Sequence, residues 1–458
     1  MQFNSLVFVA FLAVVLAVWW TVSLRAGRMW LLLASLVFYG WWSPSFLALL
    51  VATATLDWAV ALAMDRPEVG ARRRTTLLIV SIVVNLGTLV VFKYAGFVTR
   101  EVQDALARAG VTVAWPTLAW VLPVGISFYT FQAMAYTVDV YRRQVRPFRE
   151  LADFLLFITF FPQLVAGPIE RGARLAPQLL AMRRPDGTQL ARAPWLIAWG
   201  FFKKLVVADN LAPVVAAGFE SDSPTGACVV VAAYAFTWQI YADFSGYSDI
   251  ARGVALLFGV ELMENFRRPF LAASPRELWQ RWHVSLSEWF RDYVYVPLGG
   301  NRRAEARNLL GTMVLAGLWH GANWTFALWG AWHGAALVLG RRLPSLPGPR
   351  AVRVLATFHV LMLGFVVFRA HDLAHLARLA SRLRDGGGVT PLDASRAGLL
   401  ALLAGVVLAV ELVQERASPD TAVRGVPWTL QAGVFAVLVA LITVLGSTYG
   451  VRFLYFQF

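Results

Sequence analysis

The sequence predicts an all-α polytopic membrane protein, and three observations carry that expectation. Hydrophobic residues make up 58% of the 458 positions and charged ones only 15%, with a mean hydropathy of +0.60, too apolar for a soluble domain of ordinary composition. Apolar runs approaching the roughly 20 residues of a bilayer-crossing helix recur from Phe3 to the C-terminus. No long polar block separates them, so a single integral membrane domain over residues 1–458 is expected where length alone would allow about three soluble ones.

Taken in order, the start MQFNSLVFVAFLAVVLAVWW lacks a basic leader and a clear small-residue cleavage site, so residues 3–22 read as an uncleaved first span. Apolar runs follow at 29–42, 46–64, 77–98, 118–140, 154–169, 195–219 and 227–241, then at 250–262, 308–340, 352–368, 397–413 and 428–445. Roughly eleven helices are expected to span, the shorter runs being re-entrant or interfacial. Residues 170–194 and 371–396 read as loops with short helical patches, and neither solenoid repeats nor low-complexity linkers occur.

The net charge of +14 gathers in short connections, at Arg72, Arg73 and Arg74, at Arg142, Arg143, Arg146 and Arg149, at Arg183 and Arg184, and at Arg341 and Arg342. Basic clusters beside apolar spans fit the positive-inside rule and contact with anionic membrane lipid rather than nucleic acid. Arg25 and Arg28 after the first span place the N-terminus outside the cytoplasm, and the short tail TYGVRFLYFQF falls outside as well. The lone Cys228, in ACVVVAAYAF, excludes an intrachain disulfide and reads as a packed thiol.

Residues 241–303 depart from a simple bundle. YADFSGYSDIARG, ENFRRPF and SPRELWQRWHVSLSEWFRDYVYVPLGGNRR put charges and a Pro-Gly-Gly break at membrane depth, where protein or a water-filled cavity must receive them. A cavity is therefore expected here. Ser274 and Glu277 form a capping box with Pro275 in the first turn of a helix over 274–296. Trp279, Trp282, His283, Leu286 and Phe290 recur on it as one apolar stripe, with Gln280, Arg281, Ser285 and Glu288 falling largely away.

Two histidines in this apolar, tryptophan-rich setting are the first candidates for chemistry, because an imidazole is costly to bury and titrates near neutral pH. His283 points with its tryptophans into the protein; the alternative is a structural histidine bonded to a backbone carbonyl. His320 lies in GLWHGANWTF, where Gly317 and Gly321 leave the backbone open to a ligand or another helix, and Asn323 is placed to fix the imidazole tautomer. His333 falls on another face of the helix and reads as supporting or structural. Asp243 and Asp249 flank a Ser-Gly-Tyr-Ser kink that suits either an ion-coupling site or a polar lining. Lys203 and Lys204 are candidates to meet an anionic cofactor phosphate, or else ordinary snorkelling lysines. No HExxH, CxxC, GxSxG or phosphate-cradling glycine motif occurs, so neither a metal site nor a serine hydrolase is expected.

The strings RELWQRWHVSLSEWFRDYVYVPLGGNR, GLWHGANWTFALWGAWHG, YADFSGYSDIARG, ENFRRPF, FFPQLVAGPIERG and LPVGISFYTFQAMAYTVDVYR resemble the membrane-bound O-acyltransferase family, in its bacterial alginate O-acetyltransferase-like branch of polysaccharide O-acetylases. The resemblance implies a multi-helix fold around a central funnel or tunnel, with the family's near-invariant histidine at His320 and its second at His283. It implies acyl transfer, usually of acetyl, from cytoplasmic acetyl-CoA toward an extracytoplasmic polysaccharide such as alginate. It also implies a location in the bacterial inner membrane and a periplasmic SGNH-hydrolase-like acetyltransferase partner. No tightly bound cofactor is expected. The aromatic tail over 447–458 resembles that of acyl-exporting members in which a tyrosine carries the acyl group, here Tyr455; an interfacial aromatic anchor is the alternative. Two further readings stay open: D-alanyl or other acyl transfer from a carrier protein, and a transporter or flippase coupled through Asp243 and Asp249.

Overall fold

The computed structural model describes residues 1–113, 121–165, 167–344, 347–416, 427–447 and 453–454. Among them every regular element is helical: α1 Leu6–Thr21, α2 Leu24–Gly40, α3 Pro44–Met64, α4 Ala71–Arg108, α5 Ile126–Tyr141, α6 Leu151–Thr159, α7 Phe161–Leu164, α8 Gly172–Leu180, α9 Gly187–Phe201, α10 Asp209–Phe219, α11 Gly226–Leu256, α12 Pro275–Arg281, α13 Val284–Phe290, α14 Glu305–His320, α15 Trp324–Arg342, α16 Arg350–Arg369, α17 Leu373–Asp385, α18 Pro391–Arg416 and α19 Trp428–Leu445. Within the described residues, α3, α4, α11, α16, α18 and α19 are long and apolar enough to cross a membrane, and α1 is a shorter apolar helix. The all-α membrane class is as expected. The expected spans differ in detail. The run 308–340 is two helices, 154–169 breaks at Phe160 just before Pro162, and 250–262 leaves helix after Leu256. A helix packed against protein needs no unbroken 20-residue apolar run, so hydropathy alone miscounts such segments.

The chain divides into two compact units, Met1–Ala193 with Ala251–Met263, and Pro194–Ile250 with Glu264–Phe458. In the first unit α1, α2 and α3 each start at a serine, Ser5, Ser23 and Ser43, whose hydroxyl accepts a backbone N–H from the first turn. Its core is aromatic: Phe38 packs on Phe8 and Phe161 at 6.1 and 5.7 Å. Asp57, buried in α3, accepts hydrogen bonds from Ser81 at 2.6 Å and Asn85 at 2.9 Å, the donors a carboxylate requires at membrane depth.

The second unit is built on α11. Its apolar window is 78% buried while that of α19 is wholly unburied, so α11 is an internal post and α19 presents its side chains outward, as a lipid-facing helix does. The DFSGYSD segment, expected to be a kink, is continuous helix within α11. Gly246 serves helix contact instead: a Cβ there would sit 2.7 Å from the Gly200 carbonyl oxygen, so the two backbones touch. Cys228, on the same helix, is buried.

Candidate active site

The capping box at the start of α12 forms, Ser274 Oγ accepting from Glu277 N at 3.1 Å and the Glu277 carboxylate from Ala273 N at 2.8 Å. The single helix expected over 274–296 does not. It stops at Arg281, and His283 takes a left-handed backbone with φ 41° before α13 begins. Asn265, from ENFRRPF, imposes the break: its carbonyl accepts from Val284 N at 2.9 Å and its side-chain oxygen from Ser285 Oγ at 2.6 Å, while Arg267 N donates to the Arg281 carbonyl at 2.8 Å. The turn re-aims the next residues, and Ser285, expected to face away, is fully buried. Left-handed geometry at a bulky residue is strained and persists only where surroundings hold it, as at functional sites. His283 is 1% exposed, with its ring 4.7 Å from Phe244 edge-to-face and 6.0 Å from Trp319. α12 and α13 have seven residues each and are too short to span; burial pushes the His283 imidazole down to about 3, so it is neutral.

His320 ends α14, and Gly321 caps it in extended conformation. Three rings wall the imidazole edge-on: Trp319 at 4.9 Å, Trp329 at 5.1 Å and Phe368 at 5.3 Å. Gly317 places these walls, because a methyl there would overlap the Phe326 carbonyl of α15. Its open backbone thus receives a neighbouring helix. The helix C-terminus beside it carries partial negative charge.

Both imidazoles pack on Trp319, which brings His283 and His320 to one indole. Asn323 does not hold a histidine ring. It caps α15, accepting from Thr325 N at 3.2 Å, and donates to the His371 carbonyl at 2.5 Å. His333 is 1% exposed, 4.9 Å from Trp329 and 5.3 Å from Trp279, one ring removed from His320. A cavity of about 340 Å³ lined by Glu305, Arg307, Val338, Arg341 and Arg342 opens at the other end of α14, roughly 22 Å from His320 by helical rise.

Lys203 and Lys204 lie in a π-helical turn, Phe202–Ala208, opposite the Gly246 crossing. Neither snorkels. Lys203 meets Asp249 at 2.7 Å and Ser245 at 3.0 Å; Lys204 meets Asp209 at 2.8 Å and Asp243 at 2.7 Å. Both are buried, so what each ammonium faces is a carboxylate. Tyr455 lies outside the described residues. Phe453 and Leu454 are described and buried, Phe453 stacking 4.7 Å from Tyr247 and 5.8 Å from Phe244.

The profile of the membrane-bound O-acyltransferase family matches residues 148–343. The chain is 40% identical over 423 residues to the probable alginate O-acetylase AlgI of Azotobacter vinelandii, covering 90% of this chain and 84% of that protein. This chain belongs to the membrane-bound O-acyltransferase family. It is also 33% identical over 405 residues to a peptidoglycan O-acetyltransferase of Helicobacter pylori, covering 79% of this chain and 75% of that one. With a teichoic acid D-alanyltransferase of Streptococcus thermophilus the identity is 29% over 281 residues, 54% of this chain and 68% of the relative.

As a membrane-bound O-acyltransferase the chain is a multi-pass membrane enzyme of acyl transfer. The matched region holds His283, His320, His333, both lysines and both aspartates, and ends before the tail. Sequence reasoning missed three features of this candidate site. Phe368 as a wall of His320, Asn265 as the pin of the His283 turn, and the lysine–aspartate pairs all depend on contacts between residues distant in sequence. Asn265 left a trace as a polar residue inside the quoted motif ENFRRPF, and the lysines and aspartates stood out singly but not as pairs.

Proposed function

We propose that the chain moves an acetyl group from acetyl-CoA at the cytoplasmic face of a bacterial inner membrane to a polysaccharide such as alginate outside, with Tyr455 as carrier. The observation behind this reading is the packing of His283 and His320 on one indole, Trp319, in a chain of this family. In it His320 takes the phenolic proton of Tyr455, since a phenol with a pKa near 10 needs a base to act as a nucleophile. The phenolate attacks the thioester carbonyl, the C–S bond breaks, and the leaving thiolate recovers the proton from the His320 imidazolium. Neutral His283 positions a reactant or polarises the carbonyl. The acetyl ester on Tyr455 then passes, through a periplasmic SGNH-hydrolase-like partner, to a sugar hydroxyl and frees the phenol for the next cycle. The likeness to a teichoic acid D-alanyltransferase favours a second reading, in which a carrier protein's D-alanyl thioester is the donor, its thiolate leaves, and His320 again deprotonates the acceptor.

His320→Ala is expected to lower polymer acetylation by at least about a hundredfold at unchanged membrane abundance, the share a general base contributes. Undiminished acetylation would refute the role. Tyr455→Phe tests the carrier step, and full activity in that variant would reduce the tail to an anchor.

A further inference from the structure

The backbone N–H of Leu454 donates to the Asp243 carboxylate at 2.8 Å, and both residues are buried. The other Asp243 oxygen lies 2.7 Å from Lys204 Nζ, which also meets Asp209 at 2.8 Å. One ammonium thus faces two carboxylates, and a buried carboxylate in excess needs further donors. The tail supplies one through its main chain. An aromatic anchor in the headgroup region would require no such bond.

We infer that Asp243, held by Lys204 and Asp209, is the positioning residue that seats the C-terminal tail in the protein interior, by the Leu454 N–H. Three further contacts converge on that seat. Phe453 packs against Tyr247 and Phe244, and the Phe244 ring also touches His283. The approach from α19 is guided: Asn210 Nδ2 donates to the Leu445 carbonyl at 2.9 Å and Ser447 N to the Leu205 carbonyl at 3.0 Å. Leu205 belongs to the same π-helical turn as Lys204, so one irregular turn presents both the guide carbonyl and the ammonium that fixes Asp243. A main-chain donor makes the seat indifferent to the side chain at 454. The consequence for acyl transfer, delivery of the tail beside the His283 wall, rests on the Tyr455 carrier reading; the seat itself does not.

Two substitutions in the full-length, detergent-solubilised protein test the seat. Asp243→Ala removes the acceptor and leaves Asp209 on Lys204; Leu454→Pro removes the donor N–H and leaves every residue of α11 unchanged. Carboxypeptidase digestion followed by intact mass is expected to leave the chain up to and including Leu454 in place in the native protein. In both variants it should run past that point at least about tenfold faster, as the local opening cost falls. With acetyl-CoA as donor, kcat should drop about tenfold or more while KM stays within about twofold, the signature of a misplaced acceptor rather than a lost donor site. Native-like protection and kcat in Leu454→Pro would overturn the seat, even if Asp243→Ala failed to fold. Full activity of Tyr455→Phe alongside lost protection in these variants would instead remove the carrier reading and leave the seat standing.

Discussion

Holding a histidine at φ 41° costs about 1–3 kcal/mol, and the Asn265 bonds to Val284 and Ser285 hold His283 in that conformation. The side chain is also buried and neutral, its proton affinity pushed down to about 3 from an ordinary 6.5. An unfolded chain therefore takes up more protons at His283 as pH falls through 6.5, so this burial supports the fold fully above that value and progressively less on acidification. His283→Phe is expected to flatten the fall in thermal midpoint between about pH 7 and pH 5; an unchanged slope would show that the imidazole is not buried neutral. Both histidines stood out in the sequence because their neighbours are tryptophans. The left-handed turn did not, because its cause is a residue 18 positions upstream in sequence, with no local glycine to announce it.

At the scale of elements, glycine placement decides which helices can touch. Gly246 and Gly200 let α11 meet the end of α9 at backbone distance and so set Lys203 and Lys204 against Asp249 and Asp243. Gly246→Leu is expected to destabilise the protein by about 1–3 kcal/mol through overpacking, visible as a lower thermal midpoint. Gly311→Ala, on an open face of α14 where nothing lies within 4 Å, should be neutral or stabilising by about 0.5–1 kcal/mol. Equal losses in the two variants would contradict the assignment of close contact to Gly246 alone. At these places the local residues are compatible with more than one geometry, and the kink expected at Ser-Gly-Tyr-Ser is continuous helix. Ser-Gly-Tyr-Ser predicts a kink equally well as a crossing, and the capping box at Ser274 marks where α12 starts but says nothing of where it stops. Both ambiguities are settled by partners distant in sequence.

At the scale of the whole molecule, composition made the membrane class legible, and the long motifs carrying His283 and His320 made the family legible. The number of spans was less so, because helices sheltered by protein, such as the one containing His320, tolerate polar residues and breaks that hydropathy counts as ends. The ion pairs of α11 were also hidden, since Asp243 and Asp249 and their lysines lie about 40 residues apart. The proposed cycle joins these parts: the acetyl group passes from the thioester directly to Tyr455, with His320 as the base that takes the phenolic proton. Purified protein in proteoliposomes, given isotopically labelled acetyl-CoA for a single turnover and mapped by mass spectrometry, tests that claim most directly. The label should appear on Tyr455 in the native protein and be absent from His320→Ala; label arriving on Tyr455 at the same rate in both would contradict it.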